Sequence, residues 1–170
     1  MFKNKIWVIG GTTSAEEDTD TNDIWYSSDG IDWLEVTKNA AFEPRQDFGC
    51  LVYNNQLWVI GGTDYQGAWY SNDGISWKET TGYALYGNKY GHTSVNYNNK
   101  IWVIAGGQNL TNEENDVWYS NNGNDWMEAT KSADFSPRIY ASCVVYNNKM
   151  WVIGGTDHHW EGNNDVWWSQ

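Results

Sequence analysis

Long apolar segments, basic residues and cysteines are all scarce in this chain of 170 residues. Its longest apolar runs, such as residues 6–9, have four or five members, whereas a membrane-spanning helix needs about 20. Only 10 basic residues stand against 22 acidic ones, and the net charge of −12 repels phosphate backbones and anionic lipids. We therefore expect no nucleic-acid partner and no membrane insertion.

The two cysteines argue against two further classes of protein. Cys50 and Cys143 are too few for a disulfide-based scaffold, and no partner residues at metal-ligand spacing accompany them. No apolar segment typical of a secretory signal peptide follows Met1. We expect both cysteines to be small, buried core residues.

Aromatic residues and glycine are abundant instead, and much of this abundance belongs to an internal repeat. The chain has 13 Trp, 11 Tyr, 4 Phe and 17 Gly, a composition that favours strands and tight turns. An apolar string ending in Gly-Gly recurs at residues 6–11, 57–62, 101–107 and 150–155. Such a period of several tens of residues is typical of repeat architectures.

Three more strings recur around the apolar strings, one of them in all four copies and two in three copies. The unit therefore has four strands, which we name inner, second, third and outer. The third strand has Trp-Tyr-Ser or Trp-Trp-Ser, and a Ser-x-Asp/Asn-Gly-x-x-Trp string that ends at Trp33, Trp77 and Trp126 leads into the outer strand. The inner strand ends in Asn-Asn, which suits a two-residue hairpin turn. Unbroken apolar second strands predict burial on both faces, and Gly-Gly permits positive φ. We predict an all-β fold of radially packed, four-stranded antiparallel blades.

This organisation resembles the kelch-repeat β-propellers, which include the galactose-oxidase-like kelch motif. Residues 137–169 carry the family pattern: Pro137-Arg138, then Gly154-Gly155, then Asn-Asp-x-Trp ending at Trp167. The turns at 27–33, 71–77 and 120–126 resemble a shortened Asp-box, the hairpin motif of sialidase-type propellers. The resemblance covers essentially the whole chain and implies a β-propeller.

The repeats predict one propeller segment over residues 1–170, with about three and a half blades. Blade 1 covers residues 1–37 without an inner strand, blades 2 and 3 cover 44–81 and 88–130, and blade 4 covers 137–170 without an outer strand. Closed propellers have about four to eight blades. The chain is therefore a fragment of a longer propeller, a four-bladed ring with two incomplete blades, or a homo-oligomer. We favour a fragment of a longer propeller. If the chain is stable alone, we favour a homo-oligomer, because exposed edge strands tend to pair.

Kelch proteins commonly bind partners through their longer loops. The resemblance implies that the second-to-third and outer-to-inner loops form the binding face of this chain. Eleven of the 13 Trp occupy repeat positions, whereas Trp160 lies in a second-to-third loop and could stack on a sugar or anchor a partner; packing against the blade flank is the alternative. The candidate binding residues are Trp160, His158, His159, Glu161, Tyr65, Tyr83, Tyr86, Tyr90, Arg45 and Arg138.

Other candidates have stronger structural interpretations. Arg45, Lys89 and Arg138 occupy one equivalent position, where hydrogen bonds to carbonyls or acids of a neighbouring blade are favoured over an anion site. We interpret His92, near the propeller axis, as a structural residue rather than a functional one that lines the channel. Asp18, Asp20 and Asn22 alternate as in a calcium loop, but Asp23 stands where glycine is needed, so a solvated acidic loop is favoured. We predict no metal and no cofactor.

The sequence lacks residues that the catalytic sites of enzymatic propellers need. Only Arg45 and Arg138 are present where a sialidase-like site needs three arginines, and the repeated glutamates mark architecture rather than a unique acid–base pair. We expect a non-catalytic module for protein or glycan binding, self-assembly, or both. The alternatives are a fragment of a carbohydrate-active propeller enzyme (sialidase-like, epimerase-like or galactose-oxidase-like) with its active site elsewhere, and a structural self-assembling subunit. An extracellular or cell-surface location is favoured over the cytoplasm.

Overall fold

The structure is a computed structural model that describes residues 1–14, 19–63, 67–80, 87–108, 112–157 and 159–169. Within these residues the chain forms fourteen strands and no helix, which confirms the all-β expectation. The strands are β1 (Ile6–Thr12), β2 (Asp20–Ser27), β3 (Leu34–Thr37), β4 (Gly49–Tyr53), β5 (Gln56–Ile60), β6 (Ala68–Ser71), β7 (Trp77–Glu79), β8 (Thr93–Tyr97), β9 (Lys100–Gly107), β10 (Glu113–Ser120), β11 (Trp126–Thr130), β12 (Ser142–Tyr146), β13 (Lys149–Ile153) and β14 (Val166–Trp168).

The strands form four antiparallel sheets, each a simple meander. Sheet 1 is β1-β2-β3, sheet 2 is β4-β5-β6-β7, sheet 3 is β8-β9-β10-β11 and sheet 4 is β12-β13-β14. The inner strands lie side by side, because β4 contacts β8 and β8 contacts β12. The described residues contain no helix long and apolar enough to cross a membrane.

Three apolar clusters join consecutive sheets, and we call them junctions 1–2, 2–3 and 3–4. Their buried members are Phe2, Ile9, Ile24, Phe42, Leu57, Val59 and Trp77 at junction 1–2; Leu51, Tyr53, Trp58, Ile60, Ala68, Ile101, Val103 and Trp126 at junction 2–3; and Val95, Ile104, Ala105, Val117, Phe135, Met150 and Val152 at junction 3–4. Successive residues of a second strand enter opposite junctions: Leu57 and Val59 pack towards sheet 1, and Trp58 and Ile60 towards sheet 3. This accounts for the unbroken apolar strings.

The predicted turn chemistry is confirmed. Both residues of each inner hairpin turn, at 3–4, 54–55, 98–99 and 147–148, have φ between 47° and 57°, as a type I′ turn requires. The first residue of each Gly-Gly string is also left-handed, and a Cβ on Gly61 would lie 2.9 Å from the Lys89 carbonyl oxygen. Ala105 adopts this conformation with φ 59° although it carries a side chain.

The expectation of two buried cysteines is wrong for Cys50, which is exposed, whereas Cys143 is half-buried. Cys50 pairs with Val59, whose side chain faces sheet 1. No inner strand of sheet 1 is present among the described residues to cover that side of β4. Cys143 packs against junction 3–4, where β8 supplies this cover.

Candidate functional site

The loops that lead into the inner strands are linked side by side on the long-loop face. Asp47, Gly91 and Tyr140 each stand two residues after the repeated cation, and all three have left-handed φ values of 58°, 60° and 57°. The Tyr140 amide donates to the Gly91 carbonyl at 2.7 Å, and the Gly91 amide donates to the Asp47 carbonyl at 3.0 Å. These hydrogen bonds bring one residue from each of sheets 2, 3 and 4 into a row.

Tyr140 spans this row with its side chain. Its hydroxyl donates to Asp47 Oδ2 at 2.9 Å, and a Cβ on Gly91 would lie 3.2 Å from the tyrosine ring, so the glycine leaves room for that ring. Partial burial and the negative charge of Asp47 raise the pKa of Tyr140. The hydroxyl therefore stays protonated and donates to the carboxylate at neutral pH.

Trp160 stacks on Tyr140, with ring centroids 6.1 Å apart and planes 14° from parallel. The indole remains 66% exposed. The backbone at Trp160 is left-handed, with φ 60°, which is an outlier for a bulky residue and is held only where the surroundings determine it. Asp157 supplies this constraint: its Oδ1 accepts from the amides of His159 and Glu161, and its carbonyl accepts from the Trp160 amide.

We call Asp47, Tyr140 and Trp160 the Trp160 platform. It presents an exposed indole whose inner face is supported by a second ring, together with a carboxylate 2.9 Å from the supporting hydroxyl. Aromatic faces bind apolar surfaces and C–H groups, and adjacent polar groups fix a ligand's orientation. The arrangement can bind a ligand that has both a flat apolar face and polar edges.

The other predicted loop residues are placed differently. His159 and Glu161 are exposed on either side of Trp160. Tyr90 is buried and forms a backbone bridge with Gly107, and burial, with the charge of Glu113, raises its pKa. His158, Tyr65, Tyr83 and Tyr86 lie outside the described residues.

Arg45 and Arg138 are buried at the sheet ends, beside the glycines that follow β5 and β13. Arg138 holds Asp165 through two bonds of 2.6 and 2.8 Å and donates to the Gly154 carbonyl. These bonds hold the pKa of Asp165 well below its usual range. Arg45 donates to the Gly61 carbonyl at 3.0 Å.

Lys89, at the equivalent position of sheet 3, pairs with Glu114 and Asp116. These side-chain partners lie in the cation's own sheet, whereas the sequence predicted partners from a neighbouring blade. The backbone carbonyls of the three cations make the link between sheets instead, because they accept from the amides of Gly11, Gly62 and Gly106.

Asn22 from the acidic segment and His92 are both buried. Asn22 is buried and its side-chain amide donates to the carbonyls of Ala40 and Phe42; Asp20 lies two residues earlier on β2, and Asp18 is outside the described residues. His92 is buried near the inner strands, and burial lowers its pKa to about 4. Among the residues that the structure describes, no three His, Cys, Asp or Glu are grouped so as to hold a metal ion.

Tyr140 was missed by the sequence reasoning. The available signal was the alignment of residues 137–140 with 44–47, which places Tyr140 at the position of Asp47. That position is left-handed in all three sheets where it occurs among the described residues. A tyrosine there is uncommon enough to mark a functional candidate.

Comparison with known families identifies the architecture. A family model described as the DUF6242 beta propeller domain matches residues 1–120, and a Kelch motif model matches residues 137–168. No curated protein matches the chain. The expected kelch-type β-propeller fold is therefore confirmed. Because the first match spans more than half of its residues, the chain belongs to the DUF6242 beta-propeller domain family.

Proposed function

We propose that this chain is a non-catalytic propeller module that binds glycans on the Trp160 platform of its long-loop face. The observation that carries the proposal is the pairing of an indole that is 66% exposed with a stacked supporting ring at 6.1 Å. Exposed tryptophan is costly to keep in water, and left-handed backbone at both Tyr140 and Trp160 adds strain. Binding of a sugar ring would account for retaining both.

The surrounding charges favour a neutral or cationic glycan over an anionic one. Asp47 and Glu161 lie beside the rings, and the whole chain has a net charge of −12. Arg45 and Arg138, the two arginines that could grip a carboxylate, are buried at the sheet ends. Carboxylate oxygens can accept hydrogen bonds from sugar hydroxyls, while the indole covers the apolar face of the ring.

A glycan array tests this proposal with three proteins: wild type, Trp160→Ala and the control Ile31→Ala. Ile31 is also strongly exposed, at 82%, but lies in the turn before β3, away from the platform. We expect neutral glycans to bind wild type and Ile31→Ala, and Trp160→Ala to lose about tenfold or more in affinity. Equal binding by all three proteins would overturn the assignment to Trp160.

The same preparation tests the non-catalytic part of the proposal. Sialosides and galactosides are incubated with purified wild-type protein, and the products are separated by chromatography. We expect the substrates to be recovered unchanged. Hydrolysis or oxidation that co-purifies with the protein would favour the enzymatic alternative.

A second candidate function, self-association, is supported by two exposed sheet faces. Sheet 1 exposes Ile6, Val8 and Trp33, and sheet 4 exposes Val144, Tyr146, Ile153, Val166 and Trp168. By repeat position these residues correspond to Ile101, Val103 and Trp126, and to Leu51, Tyr53, Ile60, Ala68 and Tyr70. In one chain those counterparts meet at junction 2–3. Sheet 4 of one copy can therefore cover sheet 1 of another in the same manner, head to tail.

Light scattering after gel filtration tests self-association of the 170-residue chain. We expect a mass of at least twice 19.5 kDa at micromolar concentration, and monomers for Val8→Asp and for Ile153→Lys. Mixing the two variants should restore assembly. Sheet 4 of the Val8→Asp protein then meets an unchanged sheet 1, and in the other contact the introduced Lys faces the introduced Asp. A monodisperse wild-type monomer would contradict this candidate while leaving the glycan site untouched.

A further inference from the structure

Asp47 presents a second carboxylate oxygen within the Trp160 platform. Its Oδ2 accepts from the Tyr140 hydroxyl at 2.9 Å. Its Oδ1 accepts no hydrogen bond from the residues that the structure describes, and it is not buried among them. The phenol holds the carboxylate in position but leaves its charge in place, because the hydroxyl donates a hydrogen bond and keeps its own proton. The platform therefore combines a positioned negative charge with an exposed indole.

Further carboxylates make this part of the long-loop face negative. Glu161 directly follows Trp160 in the chain, and its side chain is exposed. Burial and the negative charges of Glu113 and Asp47 raise the pKa of Tyr90. Both carboxylates are thus close enough to act on the same phenol, and a cation that approaches the row of loops is attracted from several sides.

The repeated cations of these loops are not available to an anion. None of the three is exposed. Lys89 pairs with two carboxylates of its own sheet, and Arg138 pairs with Asp165. Arg45 directs its guanidinium to the Gly61 carbonyl at 3.0 Å. The charged groups at the surface of the platform are therefore carboxylates.

An exposed indole beside a carboxylate suits an ammonium group better than a hydroxyl group. The face of an indole attracts cations through its ring electrons. A carboxylate forms a charge-assisted hydrogen bond with an ammonium group, and this bond is stronger than the one that it accepts from a neutral donor. Tyr140 covers only one face of the Trp160 ring, which remains 66% exposed. A glycan with an ammonium substituent would use both groups.

We propose that the Trp160 platform selects glycans that carry a free amino group, and that Asp47 recognises this group. This inference rests on the proposed glycan-binding function and names the substrate class of that site. The glycan covers the exposed indole, and one of its ammonium groups donates to Asp47 Oδ1. Tyr140 is a positioning residue, because its ring supports the indole and its hydroxyl orients the carboxylate. N-acetylation removes the charge and weakens binding.

The test compares two oligosaccharides that differ only in this substituent, the tetramers of glucosamine and of N-acetylglucosamine. Isothermal titration calorimetry at about pH 6, where the amino groups are protonated, measures the affinity of each tetramer for the wild-type chain. We expect the glucosamine tetramer to bind about fivefold or more tightly. Sodium chloride at about 0.5 M should reduce this preference, because salt screens exposed charges, and should leave the N-acetylated tetramer unaffected.

Two variants locate the charge that produces the preference. Asp47→Asn keeps an oxygen that can accept from the Tyr140 hydroxyl but removes the charge, and it should bring the two affinities to within about twofold. Asp32→Asn is the matched control, since it removes the same charge from an exposed side chain in the turn before β3, at the opposite end of the sheets. It should keep the wild-type preference.

The outcomes separate this inference from the function on which it rests. Equal affinity of wild type for the two tetramers, an undiminished preference in Asp47→Asn, or a lost preference in Asp32→Asn would overturn the inference and leave glycan binding in place. If neither tetramer binds, or if Trp160→Ala binds both as wild type does, the proposed function and the inference are both wrong.

Discussion

Junctions 1–2 and 3–4 have apolar walls at corresponding repeat positions, and they differ in whether an outer strand places an indole between those walls. At junction 1–2 the outer strand β7 places the Trp77 side chain inside the apolar cluster, where it is buried. At junction 3–4 the corresponding space is a cavity of about 470 Å³, and Trp167 beside it is 36% exposed. Among the described residues the apolar cluster of junction 3–4 is in place beside this cavity, with no outer strand on β14. The comparison isolates what a buried indole adds to a junction.

The largest expected effect comes from making junction 1–2 resemble junction 3–4. Trp77→Ala removes a buried indole and leaves a cavity, so we expect the free energy of unfolding to fall by about 3–5 kcal/mol. Urea denaturation measures this change. Trp160→Ala, which removes an exposed indole, is the control and should change stability by less than about 0.5 kcal/mol. A loss below about 1 kcal/mol for Trp77→Ala would mean that the indole does not hold the junction together.

The left-handed residue that follows the apolar run of each second strand provides an intermediate effect. A Cβ at Gly10 would lie 2.9 Å from the Thr21 carbonyl oxygen, so Gly10→Ala should lower stability by about 2 kcal/mol. Ala105 already carries a methyl group at the corresponding place, with φ 59°. Ala105→Gly relieves the backbone strain but loses buried apolar contact, and should change stability by less than about 1 kcal/mol. Thermal denaturation distinguishes the two, and equal losses would contradict this account.

The smallest expected effect concerns the turn that delivers Trp77. Hydrogen bonds from the backbone amides of Ser76 and Ile75 hold the pKa of Asp73 at about 2, below its ordinary value of 3.8. Because the folded pKa is depressed, the stabilisation is complete above pH 3.8 and is lost as the pH falls towards 2. The corresponding turn of sheet 3 has Asn122, which accepts the same two backbone bonds without a charge.

Asp73→Asn should therefore remove this acid-dependent loss while keeping the turn. Since Asp73 is largely solvated, we expect a difference below about 1 kcal/mol between wild type and variant. Urea denaturation at pH 6 and at pH 2.5 measures the difference. If it is the same at both pH values, the Asp73 charge does not stabilise the turn.

Local, repeated features were predictable from the sequence, and arrangements between sheets were not. Asn54-Asn55 specifies its hairpin turn within two residues, and the Gly-Gly strings specify left-handed backbone wherever they occur. Tyr140 and Asp47 meet across 93 positions in the chain, so their contact depends on how three sheets are placed around a common centre. Cys50 was predicted wrongly because its burial depends on a neighbouring strand rather than on its own apolar surroundings.

The most direct measurement adds the outer strand to sheet 4. A copy of residues 73–80 is appended after Gln170, so that the new tryptophan falls at the position corresponding to Trp77. A second protein carries the same extension with alanine in place of that tryptophan. If the junction 3–4 cavity binds the tryptophan side chain, the tryptophan extension should be more stable than the alanine extension by about 2 kcal/mol in urea denaturation. Identical stability of the two extended proteins would contradict the account.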